Sequence, residues 1–285
     1  MVVYPGFEKM HQFQGRVVLL LMVFGYAGLY ILNILLPLDW SFPFHYSNLT
    51  SRIWSWTELL LGAGALIILA ETRFATEKRE IITGLILGTI SGTSHYFMNN
   101  SLTDGVLTGI LVLVCYTSAV LLIRKRSGKS IMTFQQSPLS ITSLIFFGII
   151  ISVPFATLNL AYFYFTSGLE PFTSIISASF LACNPALSEE IIFRLFPLIL
   201  VFSLLRTESS ERLVCFTAVC IGVIPHSLNH LPDLFVSNPG AAICMAILTS
   251  VFFGLPMCLL QLYKGLPSAC GFHWFVDMTR FFFGY

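Results

Sequence analysis

At 285 residues the chain has room for one large domain or two small ones, yet only 10% of it is charged, against about 25% in an ordinary soluble domain. Hydrophobic residues make up 56%, the mean hydropathy is +0.82, and the apolar runs are too long for half-buried globular helices, which excludes a soluble globular chain. A formal net charge of +1 and the lack of any stretch interleaving Lys/Arg with aromatics exclude nucleic acid as a partner.

Lys9 and Arg16 precede the first apolar run, Val17 to Leu36, as charge precedes a signal sequence. That run is about one bilayer thickness long and has no small-residue cleavage site, so it reads as a retained first helix. Further helix-compatible windows follow at Ser55 to Ala70, Ile81 to Met98, Gly105 to Ile123, Leu139 to Phe165, Leu187 to Leu205, Leu213 to Leu228, Gly240 to Tyr263 and Pro267 to Phe283. In lipid, backbone groups must bond within the segment, so the windows predict an all-α, polytopic transmembrane bundle of about eight to nine spans. Phe172 to Cys183 is apolar but short and runs into Asn184 and Pro185, which suits a re-entrant or interfacial helix. Positive charge gathers at Arg73, Lys78, Arg79 and at Arg124, Lys125, Arg126, Lys129, more weakly at Arg206, Arg212 and Lys264. These loops, placed in the cytoplasm, put the N-terminus inside. The seven cysteines stand singly in apolar stretches and read as small buried hydrophobes. Trp40, Trp54 and Trp56 flank spans as an aromatic belt would. Gly62, Ala63, Gly64 and Ala65 read as helix packing. No linker divides the chain, which is read as one integral-membrane domain, 1–285, with residues 1–170 as generic helices and 171–285 carrying the chemistry.

Ionisable groups inside apolar helices cost a few kcal/mol each and need partners, water or a task. Glu58, His95 and Asp104 fall near expected ends of spans, where interfacial water can serve them. Three constellations in the last hundred residues do not. In the first, Glu189, Glu190 and Arg194 follow Asn184 and Pro185; Glu190 and Arg194, four apart, share a helix face and can pair, while Glu189 points about 100° away as a surplus acid able to act as a base. The bland alternative is a helix N-terminus capped by Ser188. In the second, His226 and His230 are four apart around Asn229, a spacing for metal ligation or proton transfer, with Pro225 and Pro232 limiting helix regularity. In the third, His273 and Asp277 are four apart, so the carboxylate can orient the ring; the bland alternative is a hydrogen-bonded pair locking two helices. Arg280 can neutralise Asp277 or reach the interface. Jointly the three suggest an acid/base or metal site within the bundle.

In this order, the segments resemble the CAAX protease and bacteriocin-processing (CPBP, or Abi) family of intramembrane proteases, which includes the type II CAAX prenyl endopeptidases. That family carries Glu-Glu-x-x-x-Arg, Phe-x-x-x-His and His-x-x-x-Asn/Asp on successive helices around one polar cavity. Glu189, Glu190 and Arg194 match the first motif, and His273 with Asp277 the third. The second departs: taking His230, followed by Leu231 and Pro232, as the family histidine puts His226 at the Phe position, and taking His226 puts Gly222 there. His230 is the preferred match. The resemblance implies a multi-pass membrane endopeptidase, of the plasma membrane in a prokaryote, with a polar cavity formed by the C-terminal helices. It would cut a membrane-associated, lipidated or prenylated, peptide or protein.

In that reading Glu189 and His230 activate water, and Glu190 with Arg194 fixes the helix and helps bind the substrate backbone. His226 or His273 adds polar contacts, Asp277 orients His273, and Asn229 helps hold the oxyanion. Glu189, His230 and His273 could hold Zn²⁺; activation without metal fits the same residues. Two other classes stay open, a non-catalytic membrane binding or immunity protein and a proton-coupled transporter. Polar groups confined to one half of the chain speak against the transporter.

Overall fold

The computed structural model describes residues 5–36, 48–72, 76–126, 139–168, 173–205 and 210–284. Trp40, Arg73, Lys129 and Arg206 lie outside these, as do the side chains of Lys9, Arg16, Lys125 and Arg126.

Among the described residues the chain is all helix. In order, α1 is Pro5–Leu35, α2 Leu49–Glu71, α3 Lys78–Asn99, α4 Leu102–Arg126, α5 Ile141–Ser167, α6 Ile175–Leu181 and α7 Cys183–Ser188. A π-helical stretch, Glu189–Leu195, joins α7 to α8, Phe196–Leu205. Then come α9 Glu211–Asn229, α10 Pro232–Ser237 and α11 Pro239–Thr249, a second π stretch Ser250–Gly254, α12 Leu255–Lys264 and α13 Leu266–Phe282. Five helices are long and apolar enough to cross a membrane: Leu49–Glu71, Leu102–Arg124, Ile141–Thr166, Glu211–Asn229 and Pro239–Lys264. Four other apolar windows form helices outside that set, the first of them with only Leu19–Leu35 as its apolar stretch. The run Cys183–Leu205 carries Glu189, Glu190 and Arg194, α3 opens on Lys78, Arg79 and Glu80, and α13 has 17 residues. As the sequence suggested, Phe172 to Cys183 holds no full span: α6 has seven residues, about 10 Å of rise against a core of roughly 30 Å.

Cys183–Leu205 is the hub. Every side chain from Glu190 to Ser203 is buried. Ile191, Ile192 and Phe196 pack against Leu61, Ala65, Leu111 and Val112 of α2 and α4, while Leu198 and Val201 meet Ala218, Val223, Cys258 and Leu262 of α9 and α12. Outward positions are the reverse: Leu21, Phe24, Ile150 and Phe165 are exposed, an arrangement that would be costly in water and suits hydrocarbon. Of the cysteines, Cys115 and Cys258 are buried as expected, whereas Cys244 faces outward, where an apolar surround accepts a thiol as readily as a core does. Both π stretches run into a proline at the second position of the following helix, Pro197 and Pro256. Such a ring offers no N–H and collides with the carbonyl four residues back, which favours a locally widened helix.

Glycines set two close crossings. Gly88 and Gly92 of α3 face Gly109 and Gly105 of α4 backbone to backbone. Gly148 of α5 and Gly271 of α13 bring those helices together against Ser268 and Ile145. Gly62, expected to serve packing, lies under the Leu111 side chain. At the α1–α2 corner, Arg52 donates from Nη2 to Asn33 O (2.7 Å) and Leu36 O (3.3 Å), using its charge at the C-terminal end of α1.

A methyl on Gly271 would overlap the Ile145 carbonyl, which is backbone and cannot swing aside. Gly271→Ala is expected to destabilise the protein by about 1–3 kcal/mol, read as a lower thermal midpoint in detergent. Gly28→Ala, which meets nothing within 4 Å, should leave the midpoint unchanged or raise it.

Candidate functional site

The first motif falls on the π stretch. Arg194 and Glu190, both fully buried, form an ion pair through Nη1 and Oε1. The Gln261 amide of α12 donates to the Glu190 carbonyl at 3.2 Å, satisfying a backbone group that the widened turn frees. Arg194 Nη1 also lies 3.7 Å from Met257 Sδ. The helix runs unbroken from Cys183, and Ser188 Oγ donates to Asn184 O at 2.8 Å. Ser188 is therefore a mid-helix residue, and the capped N-terminus considered as the bland alternative is not found.

The π stretch also brings both acids to one side. His273 Nδ1 lies 2.7 Å from Glu190 Oε1, and its Nε2 lies 3.4 Å from Glu189 Oε2 and 3.3 Å from Asp277 Oδ2. Asp277 in turn pairs with Arg280 at 3.0 Å. One imidazole thus sits among three carboxylates, two of which, Glu190 and Asp277, are paired with Arg194 and Arg280. The expectation that Glu189 would diverge by 100° from its neighbour's partners is corrected: in the widened turn, Glu189 and Glu190 reach the same ring. Asp277 was expected to be the group that orients His273; the shortest contact comes from Glu190.

The second motif closes the site from α9. His226 Nε2 lies 3.2 Å from Glu189 Oε2. Glu189, His226 and His230 each offer one ligand atom within 4.8 Å of the others. This set shares Glu189 and His230 with the expected one and has His226 in place of His273, whose ring nitrogens both lie near carboxylates. His226 is buried, His230 exposed and Glu189 between the two. Trp54 of α2 meets three rings edge-on: Phe193 at 4.6 Å, His230 at 4.9 Å and His226 at 5.3 Å between centroids. It is a wall of the site; the aromatic-belt reading fails for it because α2 turns that face inward.

Asn229, fully buried, accepts through Oδ1 from the Tyr26 hydroxyl at 3.0 Å, which leaves Nδ2 with no partner. Tyr30 Oη donates to Leu228 O at 2.9 Å. These α1 tyrosines were missed, although two tyrosines one turn apart in an apolar helix were a visible signal. Asp104 lies in the first turn of α4, near a span end as expected, but it is 3% exposed; Glu58, also expected near an end, lies well inside α2 and is 9% exposed.

Two hollows open among the helices. One, of about 280 Å³, is apolar and lies between α1, α2, α8 and α9 beside Tyr26, Phe193 and Pro225; the other, about 380 Å³, is the glycine-lined groove between α3 and α4. No protein-family model matches the chain, and neither curated proteins nor solved structures give a match.

Breaking a buried ion pair by removing one member leaves an uncompensated charge. Arg194→Met is expected to cost about 3–5 kcal/mol in unfolding free energy. The double change Glu190→Gln with Arg194→Met should recover part of that loss in the same denaturation measurement.

Proposed function

We propose that the protein is a multi-pass intramembrane endopeptidase of the CAAX protease and bacteriocin-processing type, which hydrolyses a peptide bond of a membrane-associated substrate. The single observation that carries the reading is the meeting of Glu189, His226 and His230 within 4.8 Å, in a bundle whose surroundings are otherwise apolar. A carboxylate beside two imidazoles can take a proton from a water held between them.

Glu189 takes a proton from the attacking water, whose oxygen adds to the scissile carbonyl carbon. Asn229 Nδ2, held with its donor free by the Tyr26 contact, is the candidate donor to the oxyanion that forms. Collapse breaks the C–N bond, and the proton on Glu189 passes to the departing amine, so the base is regenerated. Glu190, Arg194 and Gln261 hold the π stretch that aims Glu189. His230, the preferred match to the family histidine, and His226 hold the water against Glu189.

The donor set also fits a divalent cation: one carboxylate and two imidazoles with an open side is a zinc-like arrangement, and His226 Nε2 stands at 3.2 Å from Glu189 Oε2, close to the edge of a tetrahedral site. Glu189, His226 and His230 would hold the ion, which would polarise the carbonyl and acidify water. Zinc titrated into the purified protein is expected to bind more weakly to Glu189→Ala and His226→Ala by more than about tenfold, read by calorimetry.

Cleavage of a membrane-tethered, lipidated peptide by the reconstituted protein tests the proposal. Glu189→Ala and His230→Ala are each expected to lower the rate by about 10²–10⁴-fold. Unchanged cleavage in both variants would remove the assignment. Saturable peptide binding without cleavage would favour a binding or immunity protein instead, and counterflow of a labelled solute a transporter.

A further inference from the structure

Behind Glu189, the N-terminal half holds a second set of buried polar side chains that the proposed chemistry does not use. Asp104 and Thr108 stand one turn apart on α4, 3% and 1% exposed, and neither Asp104 Oδ1 nor Thr108 Oγ1 has a hydrogen-bond partner. Glu58 on α2 is 9% exposed.

Packing register brings them together. Gly62 of α2 lies under Leu111 of α4, and Ser118 Oγ donates to Ala65 O at 2.7 Å, so the two helices run side by side in the same direction. One turn back from Gly62 and Leu111, Glu58 comes alongside Thr108, with Asp104 a further turn toward the α3–α4 connection. Leu61, one turn from Glu58 on α2, packs in one cluster with Ile191 and Ile192 of the π stretch that carries Glu189. At the outer end, His95 of α3 feels Asp104 and lies 3.0 Å from the Asn184 amide and 2.8 Å from that of exposed Asn99. A row of polar groups therefore runs from Asn99 through His95, Asp104, Thr108 and Glu58 to Glu189.

Among the described residues the cations of the bundle are committed elsewhere: Arg194 to Glu190, Arg280 to Asp277 and Arg52 to the carbonyls of Asn33 and Leu36. Arg124 pairs with Glu77 and, at 3.3 Å, with Glu80 at the far end of α4. Two buried carboxylates and a hydroxyl in one row need donors and acceptors small enough to follow it, and water is that ligand. Hydrolysis also consumes one water for every bond cut.

We propose that Asp104, Thr108 and Glu58 line an internal water passage leading from the α3–α4 turn to Glu189. The delivery role rests on the reading of Glu189 as the base; the passage itself does not. In Thr108→Cys protein reconstituted in liposomes, a small cationic methanethiosulfonate added to both faces is expected to modify the introduced thiol at least about tenfold faster than that of the outward-facing control Val106→Cys, since a thiol reacts only where solvent reaches it. Modification is read by peptide mass spectrometry, with an unchanged thermal midpoint as the check on folding. Adding Asp104→Leu to Thr108→Cys should slow the labelling several-fold. Labelling of the Thr108→Cys variant no faster than that of the Val106→Cys control in the folded protein overturns the passage. With the tethered peptide, Thr108→Leu is expected to lower kcat about tenfold at constant KM; an unchanged kcat overturns delivery to Glu189. Absence of cleavage by the wild type would instead defeat the peptidase reading, and labelling alone would then decide the passage.

Discussion

The buried contact among Arg194, Glu190 and His273 is the constraint on which the remainder of the site depends. A guanidinium and a carboxylate with no exposed surface can persist among apolar helices only when each is met by opposite charge or by donors. Meeting that requirement draws four elements to one place. The π stretch supplies both charges, α12 supplies Gln261 to a backbone carbonyl, α13 supplies His273, and α5 holds α13 in position through glycine contacts. Glu189 is aimed at the histidines of α9 as a consequence, because the neighbouring residue is anchored.

The polar interior divides into two regions with Glu189 between them. On one side lie the imidazoles, Asn229 and the Arg280–Asp277 pair, walled by Trp54 and braced by Tyr26 and Tyr30. On the other lie Glu58, Thr108 and Asp104, contributed by helices with no motif. The N-terminal half is thus more than a scaffold: its α1 orients an amide, its α2 walls the histidines, and its α4 continues the polar row outward. Small residues make such close packing workable, since the α3–α4 crossing needs four glycines to bring backbones into contact.

Much of the site was legible in the sequence for a local reason. Pairs four residues apart share a face whatever the helix packs against, so Glu190 with Arg194 and Asp277 with His273 could be read directly. The π stretch could not, since a widened turn depends on what Pro197 displaces and on Gln261, far along the chain, filling the gap. For the same reason, the convergence of Glu189 and Glu190 on one ring was misjudged. Gly84, Gly88 and Gly92, spaced by four, mark a close helix crossing in the sequence as plainly as Gly62 and its neighbours do. Glu58 and Asp104 were placed at wet ends because hydropathy windows mark where apolar sequence stops, and say nothing of which face turns inward.

The sequence by itself determined the class of the molecule, an all-helical chain with segments apolar enough to cross a membrane, and the short list of ionisable residues that such a chain must explain. Composition and periodicity suffice for this, because they are properties of single segments. Only the tertiary structure decided that His226 and His230 each offer an atom within 4.8 Å of Glu189 and of each other, that Trp54 faces the histidines, and that Glu58, Asp104 and Thr108 of the N-terminal half are buried. Helix rotation and register are fixed by side-chain volume and backbone approach between segments distant in the chain, and no single-segment pattern carries that information.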